Sequence, residues 1–219
     1  MSNARTTILS RLTSTRPDLP QEQPVQSEQE IPAWDLDQRI EKFSSRLRSV
    51  RADVIVAEHE IWPEKLATLA RQRGFENLLY APHGPLGGQI EKAWGDNPSL
   101  PRLISHQKEI EAWKEELFFQ IDAAITSTRA GIAETGSLVL WPTVDEPRSY
   151  SLVPPVHIAV LDAKDLYASF AELIKIEGWR RGLPSNALLI SGPSKTADIE
   201  QTLAYGVHGP IELIVFLLR

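Results

Sequence analysis

Asp53-Val54-Ile55-Val56-Ala57, then a segment opened by Pro63 and closed by Gly74, then Asn77-Leu78-Leu79-Tyr80: these 28 residues (53–80) decide the fold class. The first run is apolar without alternation, the pattern of a strand buried on both faces. Proline suits the first turn of a helix, and glycine suits its end. Between them Leu66, Leu69 and Ala70 share one face. The second apolar run follows at once, so the stretch is a strand–helix–strand unit. Such a unit needs a crossover and favours a parallel sheet.

Working outward, the same alternation continues. Asp35 or Asp37 can cap a helix that carries Ile40, Phe43, Leu47 and Val50. Downstream, strands are expected at Arg102–Ser105, Ile121–Thr126, Ser137–Trp141, His157–Leu161, Ala187–Ile190 and Ile211–Leu218. Ile110, Trp113 and Leu117 mark one helix; Leu166, Phe170, Leu173 and Ile174 mark another, ended by Gly178. Between Ala123 and Trp141 no crossover helix is visible, so the sheet can be mixed there. The fold class expected is α/β, with a mostly parallel or mixed sheet and helices on both faces. The first 33 residues stand apart. Ile8, Leu9 and Leu12 can share the face of a short surface helix, while three arginines and no acid before Pro17 also suit a transit peptide; the surface helix is preferred. Pro17, Pro20, Pro24 and Pro32 among several glutamines describe an extended linker. The division expected is 1–33 as helix and Pro/Gln-rich linker, and 34–219 as the α/β domain.

Composition narrows the function classes. Of 219 residues, 42% are hydrophobic and 24% charged, the balance of an ordinary globular chain. A net charge of −6 offers no electrostatic footprint for nucleic acid or for an anionic membrane. No apolar run approaches the ~20 residues of a membrane span, and no secretory leader is visible, so a cytoplasmic location is expected. There is no cysteine, which excludes thiolate catalysis and cysteine-held zinc or iron–sulfur clusters within this chain. The five histidines form no ligand-spaced pair, and no metal site is expected.

Three loops carry chemistry. Ser191-Gly192-Pro193-Ser194-Lys195-Thr196 follows an apolar strand, and Leu203-Ala204-Tyr205 beyond it can continue as helix. Free N–H groups at such a helix start, with two hydroxyls and a lysine, favour a carboxylate or phosphate. The blander account is a capped turn, with Ser194 or Thr196 as N-cap and Lys195 solvated. Glu134, in Glu134-Thr135-Gly136-Ser137, can serve as nucleophile, general base or hydrogen-bond anchor, or it can simply cap a turn for which Gly136 supplies the backbone freedom. His208 and Gly209 precede the final strand, where a histidine can shuttle a proton or bond structurally. The candidate catalytic residues are Glu134 and His208; the candidate ligand contacts are Gly136, Ser137, Ser191, Gly192, Ser194, Lys195, Thr196 and Gly209. All three loops are expected around one pocket at the carboxyl edge of the sheet.

Four ordered segments resemble a known family. They are Gly131–Val139, Ser151–Ile158, Ile190–Glu200 and Gly206–Pro210, in this order. They resemble the lactate-utilisation protein C family of LUD-domain proteins. The resemblance implies a fold similar to the ribose-5-phosphate isomerase and CoA-transferase group. It implies a subunit of a multi-protein system that oxidises L-lactate to pyruvate, with no cofactor in this chain and with iron–sulfur clusters in cysteine-rich partner proteins. It also strengthens the anion-binding reading of Ser191–Thr196. The alternative is a stand-alone isomerase or acyl/CoA-type transferase that uses Glu134 on a small carboxylate or phosphate compound. The motif around Glu134 does not match that of such transferases.

Overall fold

The computed structural model describes residues 4–14, 32–106, 110–179, 182, 184–197, 203–206 and 208–219. The expected linker at 17–33 lies almost wholly outside them, as do Asp198 to Thr202. The chain divides into two compact units, Met1–Glu30 and Ile31–Arg219. The first holds α1 (Ala4–Ser14), an exposed helix with no buried residue.

In the second unit the elements run α2 (Leu36–Ser49), β1 (Asp53–Ala57), α3 (Trp62–Arg73), β2 (Asn77–Leu79), α4 (Gly87–Trp94), β3 (Arg102–Ile104) and α5 (Lys114–Phe119). Next come β4 (Ala123–Ser127), β5 (Ala130–Ile132), β6 (Ser137–Leu140), α6 (Ser149–Leu152) and β7 (Val156–Asp162). The chain then forms β8 (Leu166–Tyr167), α7 (Phe170–Ile176), β9 (Leu188–Ile190), β10 (Lys195–Ala197), β11 (Leu203–Tyr205) and β12 (Glu212–Leu218).

A six-stranded sheet in the order β1-β12-β7-β4-β2-β3 is parallel throughout. Its centre explains the unbroken apolar runs. Along β12, Ile214, Phe216 and Leu218 pack with α3 and α4 residues such as Trp62, Leu66 and Ile90. Leu213, Val215 and Leu217 face the other way, toward Phe43 and Leu47 of α2 and Leu138 of β6. With both faces covered, each position of the strand is worth burying. The α2 start is fixed by a reciprocal cap: Asp35 accepts from the Gln38 N–H, and the Gln38 side chain accepts from the Asp35 N–H.

Strands β8-β5-β6-β9 form a separate four-stranded sheet. The antiparallel pairing suspected between Ala123 and Trp141 belongs here, not to the parallel sheet: β6 is antiparallel to both β5 and β9. Three local expectations need correction. Leu166 stands in β8 rather than in a helix, because its backbone pairs with Gly131 of β5. The Ile110–Leu117 helix is broken into a 3-10 turn, Ile110–Ala112, and α5. Most consequential, Ser191–Thr196 does not lead into a helix. Lys195, Thr196 and Ala197 pair antiparallel with Tyr205, Ala204 and Leu203. Two backbone bonds hold that hairpin, Ser194 N–H to Pro210 O at 2.8 Å and Gly206 N–H to Ser194 O at 3.0 Å. Such pairing outweighs the weak helix propensity of the short segment.

Candidate functional site

Two of the three expected loops do meet. Leu189–Ser194, at the end of β9, and His208–Pro210 wall a cavity of about 220 Å³. Ser151 and Leu152 of α6 close another side, and His157 and Leu213 are also in the lining. The latter two are register neighbours, each one residue inside its strand. The cavity therefore lies at the amino ends of β7 and β12, not at the carboxyl edge. The reason is simple: His208–Pro210 precedes β12, and Ser191 follows a strand of the other sheet.

The third loop approaches without lining the cavity. Ser137 is 5% exposed, and its Oγ lies 2.6 Å from Ser191 Oγ and 2.7 Å from Thr135 Oγ1. This hydroxyl chain ties the β5–β6 turn to the cavity rim. Gly136 has a packing role: its φ is +66°, and a Cβ there would sit 2.5 Å from Arg46 Cβ of α2. Glu134 is exposed at the same turn, with its N–H donated to Ala168 O at 3.0 Å. Lys195 is exposed in β10 and is not in the cavity lining. Thr196 belongs to β10 by its backbone. With β10 rather than a helix directly after Ser194, this loop brings hydroxyls and main-chain groups to the cavity but not the helix dipole expected to draw an anion.

One residue that sequence reading passed over stands out in this cavity. His157 is 1% exposed, and burial drives its ring down to a pKa of about 3, so it is neutral. Its Nε2 lies 2.9 Å from Thr126 Oγ1, while Nδ1 is buried with no protein partner. A buried polar atom without a partner costs about 1–3 kcal/mol, so this nitrogen suits a ligand group or a water. If Thr126 donates to Nε2, Nδ1 carries the hydrogen and is a donor. The one signal in the sequence is a polar residue within the apolar run of β7, where His157 falls on the same face as Ala159 and Leu161.

A second cavity, of about 330 Å³, lies toward the carboxyl end of β4 and shares Ser151 of α6 with the first. Strand β2 is followed in the sheet by β3 on one side, and its neighbour β4 by β7 on the other, so the chain changes direction between β2 and β4. Ligands of open α/β sheets occupy such a crevice. Ser127 and Thr128 at the end of β4 line it, with Pro85 beyond β2 and Glu146 from the loop before α6. Glu146 accepts from Ser127 Oγ at 2.5 Å and from Ser127 N–H at 3.2 Å. Burial raises the Glu146 pKa, against the lowering effect of the Ser127 bonds. A larger hollow of about 580 Å³ adjoins across Pro147, where His106 stacks on Trp113 at 4.2 Å. Among the described residues no cluster of three or more His, Cys, Asp or Glu could hold a metal ion.

The profile of the LUD domain matches residues 40–218. The chain belongs to the LUD-domain family. An uncharacterised protein of Neisseria meningitidis serogroup B is 38% identical over 183 residues, covering 83% of this chain and 77% of that protein. Lactate utilization protein C of Halalkalibacterium halodurans is 35% identical over 117 residues, covering 48% of this chain and 50% of that one. Its Bacillus subtilis namesake is 34% identical over 103 residues, 45% of this chain and 43% of that one. Each of these two matches thus spans no more than half of the relative. The crystal structure of a DUF162 family protein from Deinococcus radiodurans superposes with a TM-score of 0.57 at 20% identity, over 85% of this chain and 99% of that one. It shares the fold. No described helix of this LUD-domain chain is long and apolar enough to cross a membrane.

Proposed function

We propose that this LUD-domain chain is a non-redox subunit of a multi-protein, cytoplasmic L-lactate utilisation system that oxidises L-lactate to pyruvate. Residues 34–219 act as its LUD-like unit, with 1–33 as an appendage. The observation that carries the reading is the LUD match over residues 40–218, together with relatives named lactate utilization protein C. The absence of cysteine supports a division of labour, since iron–sulfur clusters need thiolate ligands that other subunits must supply. Electrons from lactate then pass to cysteine-rich partners. This chain contributes a protein surface and binds a small anionic ligand in the amino-end cavity. Ser191 and Ser194 offer hydroxyls there, and the partnerless His157 Nδ1 offers a donor.

The test is genetic and biochemical together. Deleting the gene should abolish growth on L-lactate but not on pyruvate, and a tagged copy should restore growth and co-purify iron-containing, cysteine-rich proteins. Normal growth of the deletion strain on L-lactate as sole carbon source would overturn the reading.

A further inference from the structure

The carboxyl-end cavity is not needed for the reading above and stands on geometry alone. Its lining includes a half-buried carboxyl group held in place. Glu146 accepts twice from Ser127, its own N–H is donated to Thr143 Oγ1 at 3.0 Å, and a Cβ at position 84 would fall 3.0 Å from its Oε1, so Gly84 leaves it room. This is a pre-positioned acceptor at the place where parallel sheets bind small molecules. A carboxylate repels an anion, so any negative group of a ligand must lie away from it. The cations of this cavity lie in the lining too: Arg148 is exposed, and Arg129 is paired with Glu177 through Nε at 2.8 Å. The Trp141 ring, 5.2 Å from the Arg129 guanidinium, adds an apolar side.

We propose that the crevice between the carboxyl ends of β2 and β4 is a binding site for a small hydroxylated anion, with its hydroxyl on Glu146 and its negative group toward Arg148. A hydroxycarboxylate and a phosphorylated polyol share that chemistry. The cavity of about 330 Å³ has room for either. Burial is the largest influence on this carboxyl and raises its pKa above the ordinary carboxylate value.

Four probes separate the sources: glycolate against acetate, and glycerol 3-phosphate against inorganic phosphate. Each is titrated into the full chain and followed by amide chemical shifts. The expected result is that one hydroxylated probe binds at least about tenfold more tightly than its hydroxyl-free counterpart and moves Ser127 and Thr128. Preference for glycolate identifies a hydroxycarboxylate site; preference for glycerol 3-phosphate identifies a phosphorylated-polyol site. Glu146→Gln should weaken that probe by about tenfold or more. Should that variant not fold, Arg148→Gln, a change at an exposed side chain, should weaken it comparably. No binding by any probe, equal binding within both pairs, shifts centred on Ser194 and Gly209, or unchanged affinity in the folded variants would each overturn the site. A negative result here leaves the lactate-growth phenotype of the deletion strain untouched, so the two proposals fail separately.

Discussion

Replacing His157 with glutamine should remove a defined part of the acid sensitivity of this fold. The ring is buried and neutral, with its pKa lowered from 6.5 to about 3. Below pH 6.5 the unfolded chain takes up a proton on this side chain that the folded chain does not. Stability must therefore fall as the pH falls, beginning near the unfolded value and ending near the folded one. The slope is ~1.4 kcal/mol per pH unit, so about two units of acidification cost about 3 kcal/mol through this residue. Glutamine does not titrate, and its amide can still meet Thr126 Oγ1. Urea unfolding of both proteins across this range reads the difference, because the carboxylates titrate alike in each. The wild-type protein should lose about 3 kcal/mol more than His157→Gln over those two units. Parallel pH profiles for the wild type and His157→Gln would show that the buried ring is protonated in the fold and that the neutral-donor account of Nδ1 is wrong.

Gly136→Ala should cost about 2–4 kcal/mol, since it adds left-handed strain and a clash with Arg46 and Leu47; a loss under ~1 kcal/mol in urea unfolding would contradict the packing described. Ser137→Ala and Ser191→Ala should be coupled by about 0.5–1.5 kcal/mol in a double-mutant cycle, because each hydroxyl is the other's partner at 2.6 Å; strict additivity would break that link. Lys195→Met should change neither stability nor binding in the amino-end cavity, from whose lining it is absent; a clear loss of ligand affinity measured calorimetrically would return it to the site. The chain purified alone should carry no stoichiometric iron and should not oxidise L-lactate, as metal analysis and a dye-reduction assay can check; activity without partners would contradict a non-redox role.

Much of the architecture was legible because local patterns and tertiary demands agree. Unbroken apolar runs such as Ile214–Leu218 mark strands covered on both faces. Pro63 and Gly74 bracket a helix by the backbone conformations they favour, and Asp35 or Asp37 marks the start of another, the structure choosing Asp35. The absence of cysteine settles, without any coordinates, that this chain cannot ligate an iron–sulfur cluster through thiolates. The four motif segments pointed to the LUD family by residue identity alone.

What the sequence could not reveal depends on contacts between distant segments. Lys195–Ala197 becomes a strand because β11 supplies a partner and Pro210 O anchors Ser194, not because of any propensity of its three residues. Which end of the sheet a loop occupies follows from strand membership. Ser191 ends a strand of the smaller sheet, so its loop meets the amino ends of β7 and β12. Glu146 lies in an aperiodic loop and acquires meaning only where the chain reverses direction between β2 and β4. His157 is one polar letter in an apolar strand. Its partner, Thr126, is 31 residues away, and only the parallel pairing of β4 with β7 brings the two together and leaves one ring nitrogen without a protein partner. Periodicity, caps and composition act within a few residues and can be read along the chain. Pairing, burial and the location of a cavity are properties of its three-dimensional closure.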